Sequence, residues 1–283
     1  MADNPIENPH EKDRTSEATP HAPIRSALRG RSTQLGIVAA IAASAITIWV
    51  ASRSGATGSP RSDRASGITE QAAPTASAPS TEQEVNALLS GIPQTANVLG
   101  RPQAPVTLVW FGDLECPFCR RFTLGALPSI IQAWVRSGKL RVEYRSLETA
   151  TREPEIFKTQ QVAALAAGEQ HKLWNFVETF YHEQGEEDSG YVTEEYLEGI
   201  ANQVHGLDTT QWAGDRSNPE LVAEVVADGH AAEHYGFQRT PSFLIGLTGE
   251  TMTPRSFDSL RESTPYSEAI KELLERTRSR HAA

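Results

Sequence analysis

Between Val106 and Phe111 the chain runs Val-Thr-Leu-Val-Trp-Phe, an apolar, β-branched stretch that predicts a buried strand. Gly112-Asp113 breaks it, and Cys116 opens a helix in which Pro117 is an early, well-tolerated residue. The apolar positions of that helix include Phe122, Leu127, Ile130, Ile131 and Trp134. Pro128 inside it removes a hydrogen bond and clashes one turn back, so a kink is expected near Leu124–Pro128. Gly138 ends the helix. Leu140-Arg-Val-Glu-Tyr144 then alternates apolar and polar residues, the pattern of a half-exposed or edge-facing strand.

From Glu153 to about Tyr235 the pattern is helical throughout. Leu173, Phe176, Val177 and Phe180 recur at helical spacing, as do Tyr196, Leu197, Ile200 and Val204 before Gly206 stops that helix. Leu221, Val222, Val225 and Val226 make another apolar face. Arg239-Thr-Pro-Ser-Phe-Leu-Ile-Gly246 reads as a turn into a buried strand, and Tyr266 to Arg278 as a closing amphipathic helix. Upstream, Thr81-Glu-Gln-Glu84 has the form of a capping box opening a short helix with Val85, Leu88 and Leu89. No internal repeat is apparent.

The N-terminal third has a different character. Residues 1–34 are mostly polar, carry Pro5, Pro9, Pro20 and Pro23 and mix charges without periodicity, which predicts a disordered tail. Leu35 to Ala51 is a charge-free apolar run at the short end of the ~17–25 residues that a membrane-spanning helix needs. Trp49 suits the interfacial belt. A cleaved signal peptide is the rival reading, but its apolar region is normally shorter and its charged leader briefer. An uncleaved anchor is therefore favoured. Arg25, Arg29 and Arg31 before the run are balanced by Arg53, Arg61 and Arg64 after it, so charge leaves the orientation nearly tied. Residues 52–80, rich in Ser, Ala, Gly, Thr and Pro, predict a flexible linker spanning roughly 30 Å as a random coil. A folded domain over 81–283 follows, with its helical stretch at about 153–235.

Composition narrows the function classes. A net charge of −10 and a pI near 5.3 argue against binding that rests on neutralising nucleic-acid phosphates. The apolar fraction, 39%, looks low for a compact protein until the N-terminal third is set aside. Two cysteines cannot staple a scaffold, so the core must rest on hydrophobic packing.

Those two cysteines, Cys116 and Cys119, lie where a strand feeds a helix. Unpaired N–H groups and the positive helix end favour a thiolate on Cys116, and Cys119 three residues on shares its helical face. Redox chemistry is the reading this context supports. A static disulfide closing so short a loop gains little entropy, and a zinc site lacks a second suitably spaced pair of ligands. Chance occurrence is the remaining alternative.

Gly100-Arg-Pro-Gln-Ala-Pro-Val-Thr-Leu-Val-Trp-Phe-Gly-Asp-Leu-Glu-Cys-Pro-Phe-Cys119, with Thr240-Pro-Ser-Phe243 far downstream, resembles the DsbA-like thiol–disulfide oxidoreductases, in particular their membrane-tethered branch. The likeness runs from about Asn97 to about Leu274 and includes Ala166-Ala-Gly-Glu-Gln-His-Lys-Leu-Trp174. It implies an α/β thioredoxin fold with an inserted helical domain, which the N-terminal pattern puts behind a single transmembrane helix and a disordered linker. It makes Cys116 the exposed attacking cysteine, Cys119 its buried partner, Pro117-Phe118 the active-site dipeptide, and Thr240-Pro241 a cis peptide facing the sulfurs. Backbone groups there could pair with an extended substrate as an added strand. One departure stands out. Strong oxidants of the family often carry Pro-His between the cysteines. Phe118 offers neither a hydrogen bond nor charge, and Glu115 adds a negative one, so a milder oxidant is expected.

His230-Ala-Ala-Glu-His234 matches a zinc-peptidase pattern, but it sits in a short helical stretch that the resemblance already covers. Both histidines are read as surface residues, and no metal or organic cofactor is expected. The functional expectation is an extracytoplasmic oxidoreductase with a cytoplasmic N-terminus. It would introduce disulfides into unfolded secreted proteins that carry free thiols. A quinone-linked integral membrane protein, implied by the resemblance, would reoxidise it. A reductase or isomerase of the same fold, or a peptide-binding chaperone module with structural cysteines, remains an alternative.

Overall fold

The computed structural model describes residues 78–282. The tail, the apolar run at 35–51 and nearly all of the linker lie outside the described residues. Among the described residues, no helix is long and apolar enough to cross a membrane.

The chain first forms α1 (Thr81–Leu89), then two short strands, β1 (Gln94–Thr95) and β2 (Val98–Leu99). The cap of α1 lies one residue earlier than the sequence pattern indicated. Ser80 Oγ accepts from Gln83 N at 3.4 Å and Gln83 Oε1 from Ser80 N at 3.1 Å, so the Ser80–Gln83 pair, not Thr81–Glu84, makes the reciprocal box. The two-residue strands carry too short a pattern to be read from sequence.

β3 (Val106–Gly112) leads into α2 (Pro117–Thr123), α3 (Ala126–Ile130) and a π-helical turn (Ile131–Val135), and the chain returns as β4 (Leu140–Ser146). The expected kink is a full interruption. Leu124 and Gly125 separate α2 from α3, and the Ala126 N–H leaves the helix to donate to Leu260 O at 3.2 Å. Pro128 lacks the N–H that would have bonded Leu124, so the helix cannot run straight through. Gly138 then turns the chain at φ +70°.

Five helices follow β4 before the sheet resumes: α4 (Pro154–Glu169), α5 (Leu173–Glu183), α6 (Glu194–Gln203), α7 (Thr209–Asp215) and α8 (Pro219–His234). These form the helical insertion. The short α7 has no long apolar stripe, and its signal is the Asp208 cap, whose carboxylate accepts from Thr210 N and Gln211 N. Val226, expected on the apolar face of α8, is exposed. β5 (Ser242–Leu247), β6 (Thr253–Pro254) and α9 (Thr264–Ala282) complete the domain.

The sheet order is β1-β2-β4-β3-β5-β6, with β3 and β4 parallel and every other pair antiparallel. β4 alternates buried and half-buried residues as its sequence predicts, but it is internal, not an edge strand, because β2 pairs along its outer side. β3 is central and buried at every position, since both sheet faces are covered. Val106, Leu108 and Trp110 face the main core. Val109 and Phe111 pack against Ala232 of α8 and Leu244 of β5. Trp110 is fully buried between Phe122 (5.1 Å between ring centroids), Tyr144 (5.1 Å), Tyr181 (5.8 Å) and Trp174 (6.2 Å). One side chain thus ties the sheet to α2 and to the insertion, and truncating it to alanine is expected to cost about 3–5 kcal/mol.

Candidate active site

Cys116 is the N-cap of α2. Its backbone is extended (φ −71°, ψ 119°), and Pro117 occupies the first helical turn, where its missing N–H costs nothing. The Cys116 N–H donates to Asp113 O at 3.0 Å, and Arg120 N donates to Cys116 O at 3.1 Å. Cys119, one turn on, is fully buried. Both thiols are free. Cys116 is more covered than expected: only 3% of its surface is open, because the Thr240 loop lies over it. Its Sγ donates to Thr240 O at 3.5 Å.

The two sulfurs are held in opposite electrostatic states. The Cys116 pKa is lowered to about 7, chiefly by the hydrogen bond from the Cys119 thiol; burial opposes this, and the Thr240 hydroxyl and the N–H groups of Cys119 and Phe118 assist. Burial, the largest cause, and the neighbouring Cys116 push the Cys119 thiol well above its ordinary value. A pKa near 7 lies with the milder Cys-x-x-Cys sites and far from the ~3.5 of the strongest oxidants.

Phe118 is half exposed on α2, and the Arg121 guanidinium lies over its ring. Glu115 is buried, and its carboxyl pKa is raised, mainly by desolvation, with a hydrogen bond to Thr151 opposing.

The Thr240–Pro241 peptide is cis, as the resemblance implied. Pro241 lines a cleft of about 370 Å³ with Arg239, Phe243, Phe257 and Leu260. A second cleft of about 960 Å³ runs along α2 past Pro117, Arg121 and Leu124 to the turn at Gln184–Asp188. His230 and His234 are exposed on α8, and no cluster of three or more His, Cys, Asp or Glu side chains suited to a metal occurs among the described residues.

Three further residues frame the site and were not singled out from sequence. Tyr181 Oη donates to Asp113 O at 3.0 Å, and Gln184 Nε2 donates to Leu114 O at 2.6 Å and Cys116 O at 3.3 Å. Both come from the end of α5, so the insertion grips the loop that presents Cys116. Asp113, fully buried, accepts hydrogen bonds from the residue 149–151 loop. The available signal for Asp113 was an acid directly after a buried, mostly apolar strand. Nothing in the helical pattern marked Tyr181 or Gln184.

The family model described as Thioredoxin matches residues 93–263. The chain is 30% identical over 176 residues to "Probable disulfide bond formation protein D" of Bacillus anthracis, covering 60% of this chain and 76% of that protein. Among solved structures, oxidised BdbD from Bacillus subtilis superposes with a TM-score of 0.54 at 20% identity, covering 66% of this chain and 98% of that one. A thioredoxin-like oxidoreductase from Silicibacter pomeroyi DSS-3 gives a TM-score of 0.50 at 28% identity, covering 70% and 98%.

Proposed function

Because the chain belongs to the thioredoxin family, among its DsbA-like thiol–disulfide oxidoreductases, we propose that it introduces disulfides into exported proteins through Cys116 and Cys119. A substrate thiolate attacks Sγ of Cys116 in the Cys116–Cys119 disulfide. The new bond joins substrate sulfur to Cys116; the old one breaks, and Cys119 leaves and takes up a proton. A second substrate thiolate then attacks the substrate sulfur of the mixed disulfide. Cys116 departs as a thiolate, the substrate holds the disulfide, and the protein has gained two electrons. The observation that carries this reading is the asymmetry of the pair: Cys116 titrates near 7 at a helix N-terminus, whereas Cys119 is buried with its pKa well raised. The first is a good leaving group at neutral pH and the second a protected one.

The substrate backbone lies in the cleft beside Thr240 and Pro241. Reoxidation falls to a quinone-linked membrane protein. Disulfide donation needs an oxidising compartment, which places the 81–283 domain outside the cytoplasm. The 35–51 run is its anchor, 52–80 its tether and 1–34 a cytoplasmic tail, while the insertion at 153–235 frames the active-site loop.

The test mixes oxidised protein with a reduced, unfolded protein and counts disulfides gained by mass after alkylation. One disulfide transferred per molecule is expected, with none from Cys116→Ser. Transfer that survives Cys116→Ser would overturn the proposal.

A further inference from the structure

Asp113 has no place in the exchange chemistry, yet it is the most heavily bonded acid near the site. Its Oδ2 accepts from three consecutive backbone N–H groups, Thr149 (3.0 Å), Ala150 (2.8 Å) and Thr151 (3.0 Å). Its Oδ1 accepts from the Thr151 hydroxyl at 2.6 Å and from Glu115 N at 3.1 Å. Thr151 Oγ1 in turn accepts from Gln160 Nε2 of α4 at 2.7 Å, so the insertion braces the same loop. A loop this short, fixed by three N–H groups on one oxygen, has little freedom to shift relative to β3.

What the loop carries explains why its position matters. Thr149 is an exposed residue, but its Oγ1 lies 2.6 Å from Thr240 Oγ1, and Thr240 O lies 3.5 Å from Cys116 Sγ. The path runs from a buried carboxylate, through a loop, across a hydroxyl pair, to the residue that covers the attacking sulfur. No backbone element links Thr149 to Thr240 directly; they are 91 residues apart.

Building on the exchange reading above, we propose that Asp113 and Thr149 are positioning residues: Asp113 locks the 149–151 loop, and Thr149 holds Thr240 in place over the Cys116 sulfur. Thr240, held there, is one of the groups that keep the Cys116 pKa down. The titratable groups that reach Cys116 from neighbouring elements are Cys119 on α2 and Tyr181 on α5. Neither makes a hydrogen bond to the Thr149 side chain.

The test is the pH dependence of Cys116 alkylation by iodoacetamide in the reduced full-length protein. It reads the sulfur's titration with no substrate present, so it stands apart from whether the protein transfers disulfides. Thr149→Val removes the hydroxyl at an exposed position, so Thr240 is no longer held over the sulfur, and the midpoint is expected to rise by up to about one pH unit, the scale of one hydrogen bond to a charged group. Thr149→Ser restores the hydroxyl and should return the midpoint to the wild-type value. Asp113→Asn, which turns an amide toward N–H donors, should raise the midpoint as Thr149→Val does and lower the melting temperature as well. An unchanged midpoint in Thr149→Val, or a raised one that Thr149→Ser fails to restore, overturns the proposal even if Asp113→Asn does not fold.

Discussion

The Arg121 guanidinium lies over the Phe118 ring, 5.0 Å from its centroid. The dipeptide between the cysteines therefore brings a cation close to the site, one turn along α2, although Phe118 has no charge of its own. The ring holds that cation at its own face, and it offers the Cys116 sulfur no donor.

Phe118→His should make the protein more oxidising. An imidazole donor stabilises the Cys116 thiolate, and with it the reduced form. One hydrogen bond to a charged group is worth about 1.5–3 kcal/mol, which corresponds to roughly 30–65 mV in a two-electron couple. Loss of the exposed cation–π contact removes only about 0.5–1 kcal/mol and does not reverse the sign. Equilibration with glutathione measures the change. A potential that stays put or falls would show that the Pro-Phe pair does not set the poise.

Cys116 should be the alkylated thiol and Cys119 the protected one. As pH rises through about 7 the Cys116 thiolate appears and labelling accelerates, while Cys119, with its pKa well raised, stays unlabelled. Limiting iodoacetamide across a pH series, mapped by mass spectrometry, checks both statements. Preferential labelling of Cys119 contradicts the assigned roles.

Much of this site was legible in the chain because its signals are local. The apolar run at Val106–Phe111, the break at Gly112 and the spacing of Cys116 and Cys119 all act within one strand-to-helix turn. Thr240-Pro241 was legible only through resemblance, since a threonine before a proline carries no mark of what it will face. The supporting bonds were hidden for a different reason. Asp113 meets the 149–151 loop, and Gln184 meets Leu114, across 36–38 and 70 residues respectively. Such pairs have no periodicity, and tertiary packing alone creates them. The same holds for β4, whose alternation was visible but whose outer neighbour, the two-residue β2, was not.

Glu178 gives a pH dependence of stability. Its carboxyl is fully buried on α5, neither oxygen has a hydrogen-bond partner, and desolvation raises its pKa to about 8. Below about pH 4.5 the group is protonated in both folded and unfolded chains and costs nothing. Between about 4.5 and 8 the unfolded chain ionises while the folded one does not, so stability falls as pH rises, by a few kcal/mol in order of magnitude. Glu178→Gln cannot ionise and should match wild type near pH 4.5 but exceed it at pH 8. Urea denaturation at the two values decides it, and parallel curves would refute the assignment.

The most direct test of the account is the reduction potential of the Cys116–Cys119 pair, measured by equilibrating the protein in glutathione buffers and quantifying its two redox forms. Thioredoxin-like and strongly oxidising members of this fold differ by roughly 150 mV, about 7 kcal/mol, which separates proteins that remove disulfides from those that donate them. Disulfide donation predicts a potential between those extremes and above about −230 mV, while a Cys116 thiolate titrating near 7, with no donor from Phe118, keeps it well below the strongest oxidants. A value at or below about −270 mV would mean that the pair holds its own disulfide too tightly to give it away. That result would contradict disulfide donation.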